Sequence, residues 1–106
     1  MRQLDPTQVK DLLDQLETRP LLLDVRESNE FAYCRIEGSL HVPMGEIVSR
    51  LNELDPDRQT VVICHHGMRS FQVAQFLESQ GFSHVINLAG GIDAWAREVD
   101  HTVPRY

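Results

Sequence analysis

Short apolar runs alternate with amphipathic segments along this chain. Residues 21–25, 61–63 and 85–88 form compact runs rich in leucine or β-branched side chains, which are typical of strands buried in a parallel sheet. Residues 1–4 and 39–42 predict two shorter strands. The pattern therefore predicts strands along the whole chain, separated by segments of helical length.

The segments between these runs predict helices. Asp5-Pro6 is a strong start signal, because an acidic N-cap precedes a proline at the first helical position. The apolar positions that follow share one helical face: Val9, Leu12, Leu13 and Leu16. Four more helices are predicted: a short one from Ser28 through Ala32, one at 47–54 from the spacing of Ile47, Val48, Leu51 and Leu54, one from about 70 to 80, and one at 92–98.

The order of these elements indicates the fold class. Strands that alternate with helices form βαβ units, so we expect an α/β protein with a parallel sheet covered by helices on both faces. The sequence has no linker, internal repeat or low-complexity segment, and residues 1–106 are predicted to form one domain. The tail at 99–106 shows no clear periodicity.

Composition and charge argue against some classes of function and indicate where the protein is expected. A net charge of −6 argues against nucleic-acid binding, which needs a basic surface. No segment has the features of a signal peptide or the length of a membrane span, so we expect a cytoplasmic protein without membrane contact. In that reducing setting Cys34 and Cys64 are expected to be free thiols, although the sequence leaves a disulfide between them open.

The candidate catalytic residues follow residue 63, where the predicted strand ends. Cys64 stands where a buried strand ends, and ligands of open α/β sheets bind outside the carboxyl ends of the strands. The following helix offers unpaired N–H groups and a positive dipole end, so we expect an ionised Cys64 and an anionic substrate there. Gly67 allows N–H groups to point inward, Arg69 adds a fork of donors for an oxyanion, and Ser70 is placed to cap the helix.

The seven residues 64–70, Cys-His-His-Gly-Met-Arg-Ser, resemble the active-site loop of the rhodanese-like sulfurtransferases. Three further segments resemble the other motifs of that family in its order and spacing: Leu23-Asp24-Val25-Arg26 with Glu30-Phe31, Ile36-Glu37-Gly38-Ser39 with Val42-Pro43, and Leu88-Ala89-Gly90-Gly91-Ile92 with Ala94-Trp95. The resemblance covers nearly the whole chain. It implies a three-layer α/β/α fold with a central five-stranded parallel sheet.

The resemblance also implies an activity. Cys64 would take a sulfane sulfur from thiosulfate or a persulfide donor, hold it as a persulfide and pass it to a thiol or to cyanide. The loop residues His65, His66, Gly67, Met68, Arg69 and Ser70 would bind the substrate, and Asp24 and Arg26 would support the loop. We expect no cofactor and no metal. The expected partners are a small-molecule sulfur donor and a thiol acceptor, and a sulfur-relay protein is a further candidate.

Two other functions stay open. The same fold serves as a non-catalytic interaction module, but its silent members typically lack the cysteine that is present here. Phosphatases and arsenate reductases also use it, and the related cell-cycle phosphatases carry one more loop residue than the four between Cys64 and Arg69. A shorter ring of N–H groups favours a terminal sulfur over a tetrahedral phosphate.

Several residues near the predicted site have more than one interpretation. His65 and His66 either orient a donor or face solvent as modulating loop residues. Cys34 is either a small buried hydrophobic residue or a resolving thiol. Glu30 either shapes the rim of the site or belongs to the solvated surface. Met68 either contacts a partner protein or packs on its own domain.

Overall fold

In the computed structural model, which describes the backbone of residues 1–106 and every side chain except that of Leu16, the chain forms five strands and four helices. The strands are β1 (Arg2–Leu4), β2 (Leu21–Asp24), β3 (Leu40–His41), β4 (Thr60–Ile63) and β5 (Val85–Leu88). The helices are α1 (Pro6–Leu13), α2 (Ser28–Tyr33), α3 (Met68–Ser79) and α4 (Gly91–Glu98). Short 3-10 turns span Leu16–Thr18, Met44–Glu46 and Leu51–Glu53.

All strand pairs are parallel, in the order β1-β5-β4-β2-β3, which confirms the predicted five-stranded sheet. Strand β4 lies in the centre and its four residues are all buried. The central strand of a parallel sheet is covered on both faces, which explains why Thr60–Ile63 is continuously apolar after its first residue. Cys64 follows directly at the carboxyl end of this strand.

Side chains that alternate along the strands fill two separate cores. Val61 and Ile63 of β4 join Val9 of α1 and Trp95 of α4 on one face, whereas Val62 joins α3 residues on the other. The sheet is therefore the middle of three layers, as predicted. The face beside α3 also holds Cys64, so the thiol lies on the same side of the sheet as the helix that follows it.

Two predicted elements differ from the structure. No continuous helix forms at 47–54: Ile47 and Leu54 are buried, but Val48 is 73% exposed. The backbone hydrogen bonds in this segment are of two kinds. The Arg50 N–H donates to the Glu46 carbonyl four residues earlier, and the Glu53 N–H donates to the Arg50 carbonyl three residues earlier. Successive tight turns thus bury Ile47 and Leu54 and leave Val48 in solvent.

The predicted helix from about residue 70 begins earlier, at Met68, and its N-cap is Gly67. Ser70 therefore does not cap the helix, and its side chain is buried inside the first turn.

No helix among the described residues is long and apolar enough to cross a membrane.

Candidate active site around Cys64

Cys64 follows the last residue of β4 and is only 1% exposed. Its Sγ accepts a hydrogen bond from the Gly67 backbone N–H at 3.1 Å, at the point where α3 begins. Gly67 has φ 98°, and a Cβ on it would lie 3.1 Å from the backbone nitrogen of Gly90. A glycine is therefore required here for both conformation and space, and it turns an N–H group toward the sulfur.

A buried chain of polar side chains stands behind the sulfur. The Cys64 thiol donates to Ser70 Oγ at 3.2 Å, and the Ser70 hydroxyl donates to Asn87 Oδ1 at 2.5 Å. The Asn87 amide in turn donates to the Gly67 carbonyl at 3.2 Å and to Gln3 Oε1 at 2.8 Å. Strand β5 thereby fixes both Ser70 and the loop glycine. The sequence had shown Asn87 only as part of a buried strand.

The turn between β5 and α4 closes against the backbone of the loop. The N–H of Ile92 donates to the Cys64 carbonyl at 2.8 Å, and that of Asp93 donates to the His65 carbonyl at 3.1 Å. A Cβ on Gly91 would lie 2.3 Å from the His65 carbonyl oxygen. This close approach explains the second glycine of the C-terminal motif, and the two hydrogen bonds satisfy the carbonyls of Cys64 and His65.

Arg69 does not present a free fork of donors. Its Nη1 and Nη2 bind Oε1 and Oε2 of Glu30 at 2.8 and 3.0 Å, so the guanidinium forms a bidentate ion pair with helix α2. The Arg69 side chain is 34% exposed and that of Glu30 is 14% exposed. The hydrogen bonds from Arg69 lower the pKa of Glu30 to about 2 despite its burial. Glu30 is thus a rim residue rather than solvated surface.

Tyr106 joins this ion pair from the other end of the chain. Its hydroxyl donates to Glu30 Oε2 at 2.7 Å and accepts from Arg26 Nη1 at 3.0 Å. Its ring stacks on His65, with centroids 3.9 Å apart and planes 10° apart. Burial raises the pKa of Tyr106 to about 12, so the phenol stays protonated at neutral pH. The unpatterned tail therefore contributes a residue to the rim.

Asp24 and Arg26 form a fully buried ion pair. Arg26 Nη2 lies 2.7 Å from Asp24 Oδ2, and both side chains are 0% exposed. The remaining Arg26 donors bind the carbonyls of Glu30 and Cys34 and the hydroxyl of Tyr106. Among the described residues these two make no side-chain hydrogen bond to the 64–70 loop. The predicted support is therefore indirect, because the pair positions α2 and the tail, which in turn hold Arg69.

Cys34 and Cys64 are free thiols in different cores, one on each face of the sheet. Neither a disulfide between them nor an attack by Cys34 on a sulfur carried by Cys64 fits this arrangement. Cys34 behaves as a buried hydrophobic residue, only 7% exposed, and it receives a weak contact from Arg26 Nη1 at 3.8 Å.

His65 and His66 stack on each other beside Asp93, and one ligand atom of each of the three lies within 4.8 Å of the others. His66 is exposed, whereas His65 is half-buried between two rings. Burial and the neighbouring His66 lower the pKa of His65, so its imidazole is neutral at physiological pH. Asp93 is already bound by Arg105 and Arg97 at 2.9 and 3.3 Å. Stacked rings and an occupied carboxylate make this a poor cation site.

Met68, the first residue of α3, projects into solvent and is 75% exposed. With Phe71, Gln72 and Gly90 it lines an open groove beside Gly67. Of the seven predicted loop residues, Cys64, Gly67 and Ser70 therefore meet around the sulfur, Arg69 lies in an ion pair at the rim, and the other three surround the opening.

Known proteins resemble this chain over most of its length. The family model of the rhodanese-like domain matches residues 5–98. A sulfurtransferase of Allochromatium vinosum is 44% identical over 77 residues, which cover 73% of this chain and 72% of that protein. The thiosulfate sulfurtransferase GlpE of Actinobacillus pleuropneumoniae is 33% identical over 95 residues, which cover 90% and 86% of the two chains.

A putative sulfur carrier protein of Bacillus subtilis, YrkF, is 39% identical over 79 residues, and the match covers 74% of this chain but only 43% of that protein. Among solved structures, a rhodanese-like domain protein from Staphylococcus aureus superposes with a TM-score of 0.83 at 29% identity, covering 100% of this chain and 99% of that one. A parallel α/β sheet with a cysteine loop at its central strand defines the class. This chain belongs to the rhodanese-like domain family, and its relatives connect it with sulfur transfer.

Proposed function

We propose that this protein is a rhodanese-type sulfurtransferase, which accepts a sulfane sulfur from thiosulfate or a persulfide on Cys64 and passes it to a thiol or to cyanide. The observation that carries the proposal is the Gly67 N–H, 3.1 Å from Cys64 Sγ at the start of α3. This donor and the dipole of a 12-residue helix favour negative charge on the sulfur. A persulfide anion would extend into the same positive field.

The first half-reaction is a displacement at sulfur. The Cys64 thiolate attacks the outer sulfur of the donor, a bond forms between Sγ and that sulfur, and the bond to the donor's inner atom breaks with its electron pair. Sulfite leaves when the donor is thiosulfate, and a thiolate leaves when it is a persulfide. The loop N–H groups stabilise the charge that passes over the sulfur atoms in this step.

The second half-reaction regenerates the thiolate. An acceptor thiolate or cyanide attacks the outer sulfur of the Cys64 persulfide, and the electron pair of the broken S–S bond returns to Sγ. The two halves share one covalent intermediate, so ping-pong kinetics are expected. No step requires a cofactor.

The size of the loop argues against phosphoryl transfer. Four residues separate Cys64 from Arg69, the sulfur is 1% exposed, and the Gly67 N–H already bonds to it. Phosphate would need several more free N–H groups around its three oxygens, together with an unpaired guanidinium. Arg69 is instead occupied by Glu30.

We also propose a reducing cytoplasm as the location and a protein thiol as a partner. Two free cysteines fit the reducing cytoplasm. Relatives named sulfurtransferase and sulfur carrier support a place in a sulfur relay, with a protein thiol as donor or acceptor. The exposed Met68 beside the open groove would suit such a contact.

The test is steady-state transfer from thiosulfate to cyanide, followed as thiocyanate, with Cys64→Ala as the inactive control. Parallel lines in double-reciprocal plots, and loss of turnover in the variant, are expected. Release of phosphate from an aryl phosphate by the wild type, without thiocyanate formation, would contradict the proposal. Unchanged thiocyanate formation by the Cys64 variant would contradict it as well.

A further inference from the structure

The guanidinium group in the 64–70 loop is matched by a carboxylate, because Arg69 pairs with Glu30. Behind it the buried Arg26 pairs with Asp24, whereas Arg97 and Arg105 share the single carboxylate of Asp93. The chain as a whole carries a net charge of −6. An anion that approaches Cys64 therefore meets helix N–H groups and an Arg69 whose charge Glu30 neutralises.

Glu30 is fixed at its position by donors on every side. Oε1 accepts from the Glu27 N–H at 3.0 Å and from Arg69 Nη1, and Oε2 accepts from Arg69 Nη2 and from the Tyr106 hydroxyl. Tyr106 is itself held by Arg26 and by stacking on His65. A carboxylate with four donors does not swing away to free Arg69 without leaving several groups unpaired.

This arrangement bears on the choice of donor. Thiosulfate brings two negative charges to a site where a thiolate must also be present. The persulfide of a thiol, R–S–S–H, brings none when protonated and one when ionised. Because Glu30 neutralises Arg69, the site offers little attraction to offset the repulsion between the Cys64 thiolate and an anionic donor. Coulomb energies scale with the product of charges, so this repulsion is much larger for thiosulfate than for the persulfide.

We propose that Glu30, anchored by Tyr106, is a specificity-determining residue that neutralises Arg69 and so makes the persulfide of a thiol the preferred sulfur donor over thiosulfate. This inference rests on the proposed sulfur transfer and narrows its donor.

The preferred half-reaction balances without a further reactant. The Cys64 thiolate attacks the outer sulfur of R–S–S–H, the Sγ–S bond forms and the inner S–S bond breaks. The products are Cys64–S–S–H and R–S⁻, and the single negative charge is conserved. With thiosulfate the same step carries three negative charges through the transition state, and Cys64–S–S⁻ and sulfite share them afterwards.

The test compares two donors on Glu30→Gln, which keeps the size of the side chain and one of its two acceptor oxygens and removes its charge. The donors are thiosulfate and the persulfide of 2-mercaptoethanol, each with cyanide as acceptor. Glu53→Gln is the matched control, because it removes the same charge from an exposed pair with Arg50 away from the site. We expect kcat/KM for thiosulfate to rise about tenfold in Glu30→Gln, mainly through KM, since one opposing charge is lost.

The remaining combinations of variant and donor also have expected results. For the persulfide donor, kcat/KM of Glu30→Gln should change much less than for thiosulfate, so that the ratio of the two kcat/KM values shifts toward thiosulfate. Glu53→Gln should change neither donor. Tyr106→Phe removes one donor from Glu30 and keeps the ring on His65, so it should shift the donor ratio in the same direction by a smaller factor.

A second readout does not require sulfur transfer. The rate of Cys64 alkylation by anionic iodoacetate, divided by the rate with neutral iodoacetamide, reports how much positive charge an anion meets at the site. We expect this ratio to rise several-fold in Glu30→Gln and to stay unchanged in Glu53→Gln. If neither donor loads sulfur on the wild type, the proposed function fails, yet this ratio still tests the role of Glu30.

Three results would overturn the inference. One is a wild type that prefers thiosulfate over the persulfide. Another is an equal loss with both donors in Glu30→Gln, which would make Glu30 a structural support of Arg69 only. The third is an unchanged alkylation ratio in both Glu30→Gln and Tyr106→Phe. Should Glu30→Gln fail to fold, Tyr106→Phe alone decides between these outcomes.

Discussion

The buried pair of Asp24 and Arg26 gives the sharpest stability prediction. Arg26 Nε and Nη2 bind the two Asp24 oxygens at 2.7–3.1 Å, and Nη2 also binds the Cys34 carbonyl at 2.6 Å. Arg26→Met preserves much of the apolar volume but leaves a carboxylate with no side-chain partner at 0% exposure. We expect a loss of about 3–5 kcal/mol in the free energy of unfolding.

That loss is a large part of the total stability of a domain of this size, which is typically about 5–15 kcal/mol. It corresponds to a fall in Tm of roughly 12 °C or more, at about 4 °C per kcal/mol. Urea unfolding followed by the fluorescence of the buried Trp95, 4% exposed, measures it at constant temperature.

The double variant Asp24→Leu/Arg26→Met separates the charge from the packing. It removes both ions and should recover most of the loss, because an apolar pair avoids the desolvation cost. A loss below about 1 kcal/mol in Arg26→Met would refute the reasoning. So would a double variant as unstable as the single one, since the cost would then lie in the severed links to Cys34 and Tyr106 rather than in the orphaned carboxylate.

Three further changes have defined outcomes. Gly91→Ala should cost at least about 2 kcal/mol and slow Cys64 alkylation, because its Cβ would overlap the His65 carbonyl at φ +64°; wild-type stability in thermal unfolding would contradict this. Asn87→Ala should cost about 1–3 kcal/mol in urea unfolding by leaving the buried Ser70 hydroxyl without its acceptor, and a neutral effect would show that the polar chain behind the sulfur is dispensable. The pKa of Glu30 in the folded chain is about 2, below its ordinary value of 4.5, so the stabilisation by its ion pair is present above about pH 5 and is lost as the pH falls toward 2. Glu30→Gln should therefore reduce the loss of folding free energy between these pH values by at most about 3 kcal/mol, and an unchanged loss would contradict the ion pair.

The strands and the cysteine loop could be predicted because their signals are local. Residues 61–63 are β-branched and bounded by a break at Cys64, and Gly67 is the residue type that a positive φ requires. The segment at 47–54 could not be predicted, since apolar spacing of four and three residues suits a helix and a series of tight turns equally well. Ser70 was misplaced for a related reason: serine before an apolar run usually caps a helix, but Gly67 starts this helix a turn earlier.

The rim of the site depends on contacts that no local pattern reveals. Glu30 and Tyr106 are 76 positions apart, and Glu30 and Arg69 are 39 apart. An acidic residue in a short helix and an aromatic residue in an unpatterned tail carry no periodic signal that would connect them. Only the packing of α2 and the tail around Arg26 brings them to the same edge of the sheet.

The central claim is that Cys64 carries the transferred sulfur, and intact mass tests it most directly. The protein is incubated with thiosulfate or with 2-mercaptoethanol persulfide and weighed beside Cys64→Ala and Cys34→Ser. We expect a gain of one sulfur atom in the wild type and in Cys34→Ser, none in Cys64→Ala, and removal of the added mass by cyanide. A chain that stays unmodified by both donors while Cys64 remains open to alkylation, or one that loads sulfur on Cys34, would contradict it.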